Sequence, residues 1–235
     1  MKYVYNVYMN QPGLKGIIFD FNGVIVDDYS LQKEVWSQVS EIVRGKPVTD
    51  EEMIHDIRGV PTKATLHRMS QGTLSSEQLD ELAVRKTAIA RRLFDSDTSL
   101  QLMPGLPEFL NGIVARNIPR SIATSQTFET FSHLFDKLAL DTWFHRRLAV
   151  FDDGTYPGKP APDIYIKAAT LLNLEPIDCV VIEDAQSGIR AAYAAGVRGI
   201  VAIGRESQLQ ELHGLPGVVK AVHNFAELQV GELFG

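Results

Sequence analysis

From residue 104 onward the chain alternates short apolar runs with amphipathic stretches at the spacing of βαβ units. Strands are expected over residues 120–124, 147–151, 178–182 and 198–203, with helices over 107–116, 127–138, 162–172 and 187–195. Connections of this kind close into a parallel sheet with helices on both faces. An earlier apolar run at 17–19 reads as one more strand of that sheet. Between it and residue 100 the pattern is helical throughout. Residues 30–44 place Leu31, Val35, Val39 and Ile42 on one stripe. Thr49 with Glu52 has the form of a capping box, and Ser75 opens a long helix reaching about residue 94. The expected class is therefore α/β, with a core formed by residues 1–28 and 101–235. Residues 29–100 form an all-helical cap inserted after the first strand, and the two joins are candidate hinges.

Charge and cysteine content narrow the function. The formal charge is −6, so no basic face for nucleic acid is expected. The lone Cys179 excludes a disulfide within the chain, suits a reducing cytosol and reads as core. No apolar run approaches the ~18 residues of a membrane span. Residues 1–14 lack the pattern of a signal peptide and read either as an edge strand or as a tail.

Four expected strand ends carry polar groups: Asp20, Thr124, the Gly158-Lys159-Pro160 loop, and Glu183-Asp184. Each has a plain alternative as a turn, a helix cap or a solvated loop residue. In a parallel sheet, however, all four ends meet at one edge, where such folds bind ligands. Together they suit phosphoryl transfer. The Asp20 carboxylate can attack phosphorus, and Asp184, with Glu183, can hold Mg²⁺. Lys159 offsets phosphoryl charge, and the Thr124 hydroxyl with nearby N–H groups at a helix start can bind the oxygens.

Asp20-Phe21-Asn22-Gly23-Val24, Ile122-Ala123-Thr124-Ser125, Gly158-Lys159-Pro160-Ala161-Pro162-Asp163 and Val181-Ile182-Glu183-Asp184 with Ser187-Gly188 resemble the four motifs of the haloacid-dehalogenase-like hydrolases. Their order fits the helical-cap branch, which includes phosphoglycolate phosphatase and β-phosphoglucomutase. The resemblance implies a Rossmann-like core and a Mg²⁺-dependent phosphatase working through an aspartyl phosphate. It implies Asp20 as nucleophile, Thr124 as phosphoryl binder and Lys159 as charge neutraliser. Asp20, the Asn22 carbonyl and Asp184, supported by Glu183, are the implied metal ligands. Gly23, Ser125 and Gln126 are implied substrate contacts. Residues 59–66 match a substrate-reading loop of the form Gly-x-x-x-x-x-x-Leu, which adds Arg58, Thr62 and Lys63; a solvated helix start accounts for these three equally well.

Asn22 departs from the pattern, because most phosphatases of the family have Asp there as the general acid and base. An amide hydrogen-bonds but exchanges no proton at neutral pH, and acid–base help is worth roughly 10²–10⁴-fold. Three readings stay open: a substrate with a good leaving group, a substitute group from the cap, or a phosphometabolite-binding protein with weak turnover. A mutase, or a phosphonoacetaldehyde-hydrolase-like enzyme with Lys63 as the Schiff-base lysine, ranks behind a phosphatase. The expected partner is a small phosphorylated metabolite, with no nucleic acid or membrane, and the expected state is a monomer or homodimer.

Overall fold

The computed structural model describes residues 13–235; the reading of residues 1–14 falls almost wholly outside them. Six strands form one parallel sheet in the order β3-β2-β1-β4-β5-β6. They are β1 (Gly16–Phe19), β2 (Arg120–Thr127), β3 (Val150–Asp152), β4 (Cys179–Glu183), β5 (Gly199–Ile203) and β6 (Val218–Val222). The chain order turns back between β1 and β4, and that switch point opens the crevice where such sheets place ligands.

Alternate residues of the strands feed two cores, as the period-2 pleat requires. On one face Phe19, Ile122, Val180, Ile182 and Val201 pack against α5 (Leu106–Ala115), α6 (Phe128–Lys137) and α10 (Val230–Phe234). On the other, Ile18, Ala123, Val181 and Ile200 pack against α7 (Asp163–Leu171), α8 (Gln186–Ala194) and α9 (Glu206–His213). Cys179 is fully buried in this second face, and burial pushes its thiol up to about 12, consistent with a packing role.

Between β1 and β2 lie α1 (Tyr29–Arg44), α2 (Asp50–Glu52), which runs into a π turn at Met53–Ile57, α3 (Thr62–Met69) and α4 (Ser76–Ser96). Capping boxes at Thr49/Glu52 and Ser75/Gln78 start α2 and α4. The helices share a small core of Trp36, Val39, Val48, Met53, Ile57, Leu66 and Leu82. The insert is not sealed off: Val35, Ala90 and Phe94 join the main core. The two connecting segments run side by side, with Val26 bridged to Leu102 and Met103 N–H donating to the Ile25 carbonyl at 2.9 Å.

Several local expectations need correction. The strand expected over 147–151 begins only at Val150, because Arg146–Leu148 closes a 3₁₀ turn and β3 pairs with β2 only at Ala123 and Thr127. That second pairing carries β2 on to Thr127, so α6 starts at Phe128 and Thr124 lies inside the strand. Ile42 is 48% exposed, because α1 buries Val35, Trp36, Val39 and Ser40. Strand β6 was not foreseen; Lys220 interrupts its apolar run, and it is a half-buried edge.

Candidate active site

Asp20 is the first residue after β1, and its N–H donates to the Ile182 carbonyl of β4 at 2.9 Å. This contact fixes its carboxylate at the sheet edge beside the end of β4, where Glu183 and Asp184 emerge. Oxygens of Asp20, Glu183 and Asp184 lie within 4.8 Å of one another. Lys159 arrives from the loop between β3 and α7, with its side chain fully buried. Its ammonium donates to Asp20 Oδ1 at 2.5 Å, Glu183 Oε1 at 2.6 Å and the Ala123 carbonyl at 3.3 Å. An ammonium buried this deeply persists only with close anions. Burial pushes Lys159 down, but the Asp20 and Glu183 carboxylates outweigh it and hold the group above its usual range.

Glu183 is fully engaged. Oε1 accepts from Lys159 and from the Tyr165 hydroxyl (2.8 Å), and Oε2 accepts from the N–H groups of Asp184 (2.7 Å) and Ala185 (2.8 Å). Gly188 makes room for it, since a Cβ there would lie 1.6 Å from Oε1. Glu183 therefore anchors Lys159 and the turn into α8, leaving Asp20 and Asp184 as the more open carboxylates. For Asp20, burial and the Glu183 charge outweigh Lys159 and push its carboxyl up to about 7.

Gly23 has a φ of +74°, and a Cβ there would meet Asp184 Oδ2 at 1.8 Å. The turn after Asp20 thus needs glycine both for its backbone and for the approach of Asp184. The cluster of Asp20, Glu183 and Asp184 is an oxygen-only donor set, which fits a hard cation such as Mg²⁺. The cation paired with Asp184 here is Arg58, whose guanidinium reaches Oδ2 from the helical insert.

The insert closes over this edge. The Arg58 carbonyl accepts from the Ser187 hydroxyl at 2.9 Å and the Gly59 carbonyl from Ser125 at 3.0 Å. Between insert and sheet lies a cavity with about 670 Å³ of empty space, mouth included. Its walls include Asp20, Asn22, Gly23, Ser125, Gln126 and Asp184 from the core, and Arg58 and Thr62 from the insert. Lys63 is not brought there: it is exposed, paired with Asp80. The lysine considered for Schiff-base chemistry is thereby removed from the cavity. Thr124 is buried, and its hydroxyl accepts from Gln126 N–H at 3.2 Å; no helix start lies beside it, contrary to expectation.

Asn22 uses both ends of its amide: Nδ2 donates to Asp28 Oδ2 at 2.5 Å, and Oδ1 accepts from Gln126 Nε2 at 2.6 Å. Asp28 is buried and also accepts from Gln32 at 2.8 Å; burial raises its carboxyl to about 6. Sequence reasoning treated Asp28 only as a join and missed Gln32, Trp36 and Lys86, which all line the cavity. The spacing of Asp28, Gln32 and Trp36, four residues apart, was the available signal, since it places them in one row down α1.

A carboxylate, a buried lysine and an acidic pair thus meet at adjacent ends of a parallel sheet, roofed by a helical insert. The haloacid dehalogenase-like hydrolase model matches residues 14–196, and the chain belongs to that family. A phosphorylated carbohydrates phosphatase of Thermotoga maritima is 31% identical over 190 residues, covering 81% of this chain and 85% of that one. A β-phosphoglucomutase of Bacillus subtilis is 30% identical over 190 residues, covering 78% and 81%. The crystal structure of a HAD hydrolase, family IA, variant 3, from Entamoeba histolytica superposes with a TM-score of 0.83 at 29% identity, covering 93% and 97%.

Proposed function

We propose that the protein is a Mg²⁺-dependent phosphatase of small phosphorylated carbohydrates, acting through a phosphorylated Asp20. The observation that carries this reading is Asp20 itself: it is held by Lys159 at 2.5 Å, beside Asp184, in the cavity between insert and sheet. The phosphatases among its relatives support the carbohydrate class. Asp20, Asp184 and the Asn22 carbonyl would hold the metal, which when bound neutralises charge on the phosphoryl oxygens. Asp20 attacks phosphorus, the ester oxygen leaves and takes a proton from solvent, and water then cleaves the aspartyl phosphate to inorganic phosphate and the free carboxylate. Lys159 keeps Asp20 oriented and offsets charge that builds as the bond forms. Thr124, and Ser125 once its hydroxyl leaves the Gly59 carbonyl, would bind the phosphoryl oxygens. Asn22 gives the leaving oxygen a hydrogen bond at most, so alkoxide leaving groups go slowly and the phosphoenzyme is long-lived. Residues 29–100 act as a cap, opening at the paired segments around Val26 and Leu102. The lone cysteine suits work in the cytosol. The test is a phosphate-release screen with Mg²⁺ over sugar, polyol, acyl and aryl phosphates. Release that exceeds an Asp20→Ala control supports the reading; release equal to that control overturns it.

A further inference from the structure

The helical insert carries a second cavity of its own, with about 1050 Å³ of empty space, mouth included. The end of α1, the π turn and the end of α3 enclose it, and its lining residues all fall between Val43 and Thr73. It shares only Ile57 with the cavity over Asp20. Its inner wall holds Thr65, which is 2% exposed and whose hydroxyl has no hydrogen-bond partner among the described residues. Inside a helix such a hydroxyl can bond the carbonyl four residues earlier; here the Pro61 carbonyl accepts the Thr65 N–H, at 3.1 Å. A buried donor without an acceptor is costly unless a ligand completes it.

Arg44, Lys46 and Arg68 line the same space. Arg44 donates Nε to Ser40 Oγ at 2.6 Å, and Nη1 and Nη2 to the Glu52 carboxylate at 2.6 and 2.8 Å. Arg68 donates Nη1 to Asp56 Oδ1 at 3.2 Å and Nη2 to the Asp56 carbonyl. Each guanidinium keeps N–H groups that these partners do not use. The Lys46 ammonium makes no hydrogen bond or ion pair among the described residues. Glu52 is spent on Arg44 and on the Thr49 N–H, which hold its carboxyl down at about 2. The lining therefore has donors to spare, and its cations outnumber its carboxylates, Glu52 and Asp56.

We propose that this cavity is a second phosphoryl-binding site, separate from the site of transfer, and that it takes the phosphate monoester of a small hydroxylated compound. A tetrahedral phosphoryl group turns its oxygens in several directions, so Lys46, Thr65 and the spare guanidinium N–H groups engage it together. A planar carboxylate offers only a flat pair of oxygens to the same donors. The Asp56 carboxylate, already held by Arg68, disfavours bare inorganic phosphate and accepts a hydroxyl of the ester. The site adjoins the chemistry without entering it: Ile57 ends the π turn, and Arg58, paired with Asp184, follows it.

The test is amide NMR of the full chain in chelator, titrated with glucose 6-phosphate, inorganic phosphate and gluconate. Amides of residues 65–73 are expected to shift and to saturate below about 5 mM glucose 6-phosphate, with inorganic phosphate weaker and gluconate weakest. Thr65→Val keeps the shape of the buried side chain and removes its donor, and Lys46→Gln removes the unpaired charge. Together they are expected to weaken the ester roughly tenfold at these amides. The titration of amides 20–24 stays as in wild type, and Thr65→Ser, which keeps the hydroxyl, binds as wild type does. Affinity of the double variant within about twofold of wild type overturns the proposal. So does an absence of shifts at residues 65–73, or gluconate binding as tightly as the ester, which marks an unselective basic surface. Inorganic phosphate binding as tightly as the ester overturns the ester assignment. No turnover is read, so the result stands or falls apart from the phosphatase reading.

Discussion

Asn22 Nδ2 donates to Asp28 Oδ2 at 2.5 Å, so the amide proposed to stand in the place of a general acid is locked onto a buried carboxylate six residues further on. Restoring the acid is therefore not a single change. Asn22→Asp sets two carboxylates against each other in a buried pocket, whereas Asn22→Asp with Asp28→Asn restores one charge and one donor. With metal chelated at pH 8, the single variant is expected to lose about 1–3 kcal/mol of stability and the double variant to recover most of it. With Mg²⁺, the double variant is expected to raise the ratio of alkyl to aryl phosphate turnover by roughly ten- to a thousandfold. Denaturant titration and paired kinetics check both. Equal stability of the two variants would show that the amide contact contributes little.

Asp28 also sets a pH dependence. Its carboxyl is raised by burial from 3.8 to about 6, so the folded protein binds this proton more tightly than the unfolded chain does. The group then favours folding below pH 4, loses that contribution as pH rises to about 6, and is level above. The difference in stability between wild type and Asp28→Asn, followed in chelator from pH 4 to 7, is expected to drift by on the order of 2 kcal/mol and then flatten. Subtraction removes the opposite slope of Glu52, which Arg44 holds down at about 2. A pH-independent difference would contradict the burial of an ionisable Asp28.

The ion pair of Arg58 with Asp184 places a protein cation on a carboxylate proposed to bind the metal. Arg58→Gln should therefore tighten Mg²⁺ binding to the substrate-free protein several-fold, read by calorimetry. Affinity should also rise with pH until about 7, because Asp20, raised to about 7 by burial, must lose its proton to serve as a ligand. Unchanged affinity in Arg58→Gln would mean that the guanidinium and the metal do not compete.

Lys159 is the only cation hydrogen-bonded to both Asp20 and Glu183 among the described residues. Lys159→Met leaves two buried carboxylates facing each other and is expected to cost about 3–5 kcal/mol, with loss of activity. Thermal unfolding at pH 8 measures it; a loss below about 1 kcal/mol would mean that the pair is solvated.

Most of the sheet and several of its site positions were legible because a parallel strand announces itself as a local apolar run, and its end residue is fixed by the pleat. Asp20, Glu183 and Asp184 needed only that, whereas Lys159 lies in the loop between β3 and α7. The roof was harder to read. Lys63 looked suitable by spacing, yet α3 turns it outward to Asp80, while Lys86, not singled out in the sequence, is buried on Trp36. Which face of a helix meets the cavity depends on tertiary packing, and helical periodicity alone fixes only which residues share a face. The fixed role of Asn22 was likewise invisible, because its partners lie six and 104 residues away.

The most direct measurement is an acid quench of the Mg²⁺-loaded protein during turnover of an aryl phosphate, followed by mass spectrometry of its peptides. The Asp20–Lys159 site with Asn22 beside it predicts a phosphoryl group on the peptide carrying Asp20, near one per chain, and none in Asp20→Ala, which is also inactive. An unlabelled wild-type protein, together with an Asp20→Ala variant that still releases phosphate, would contradict the account.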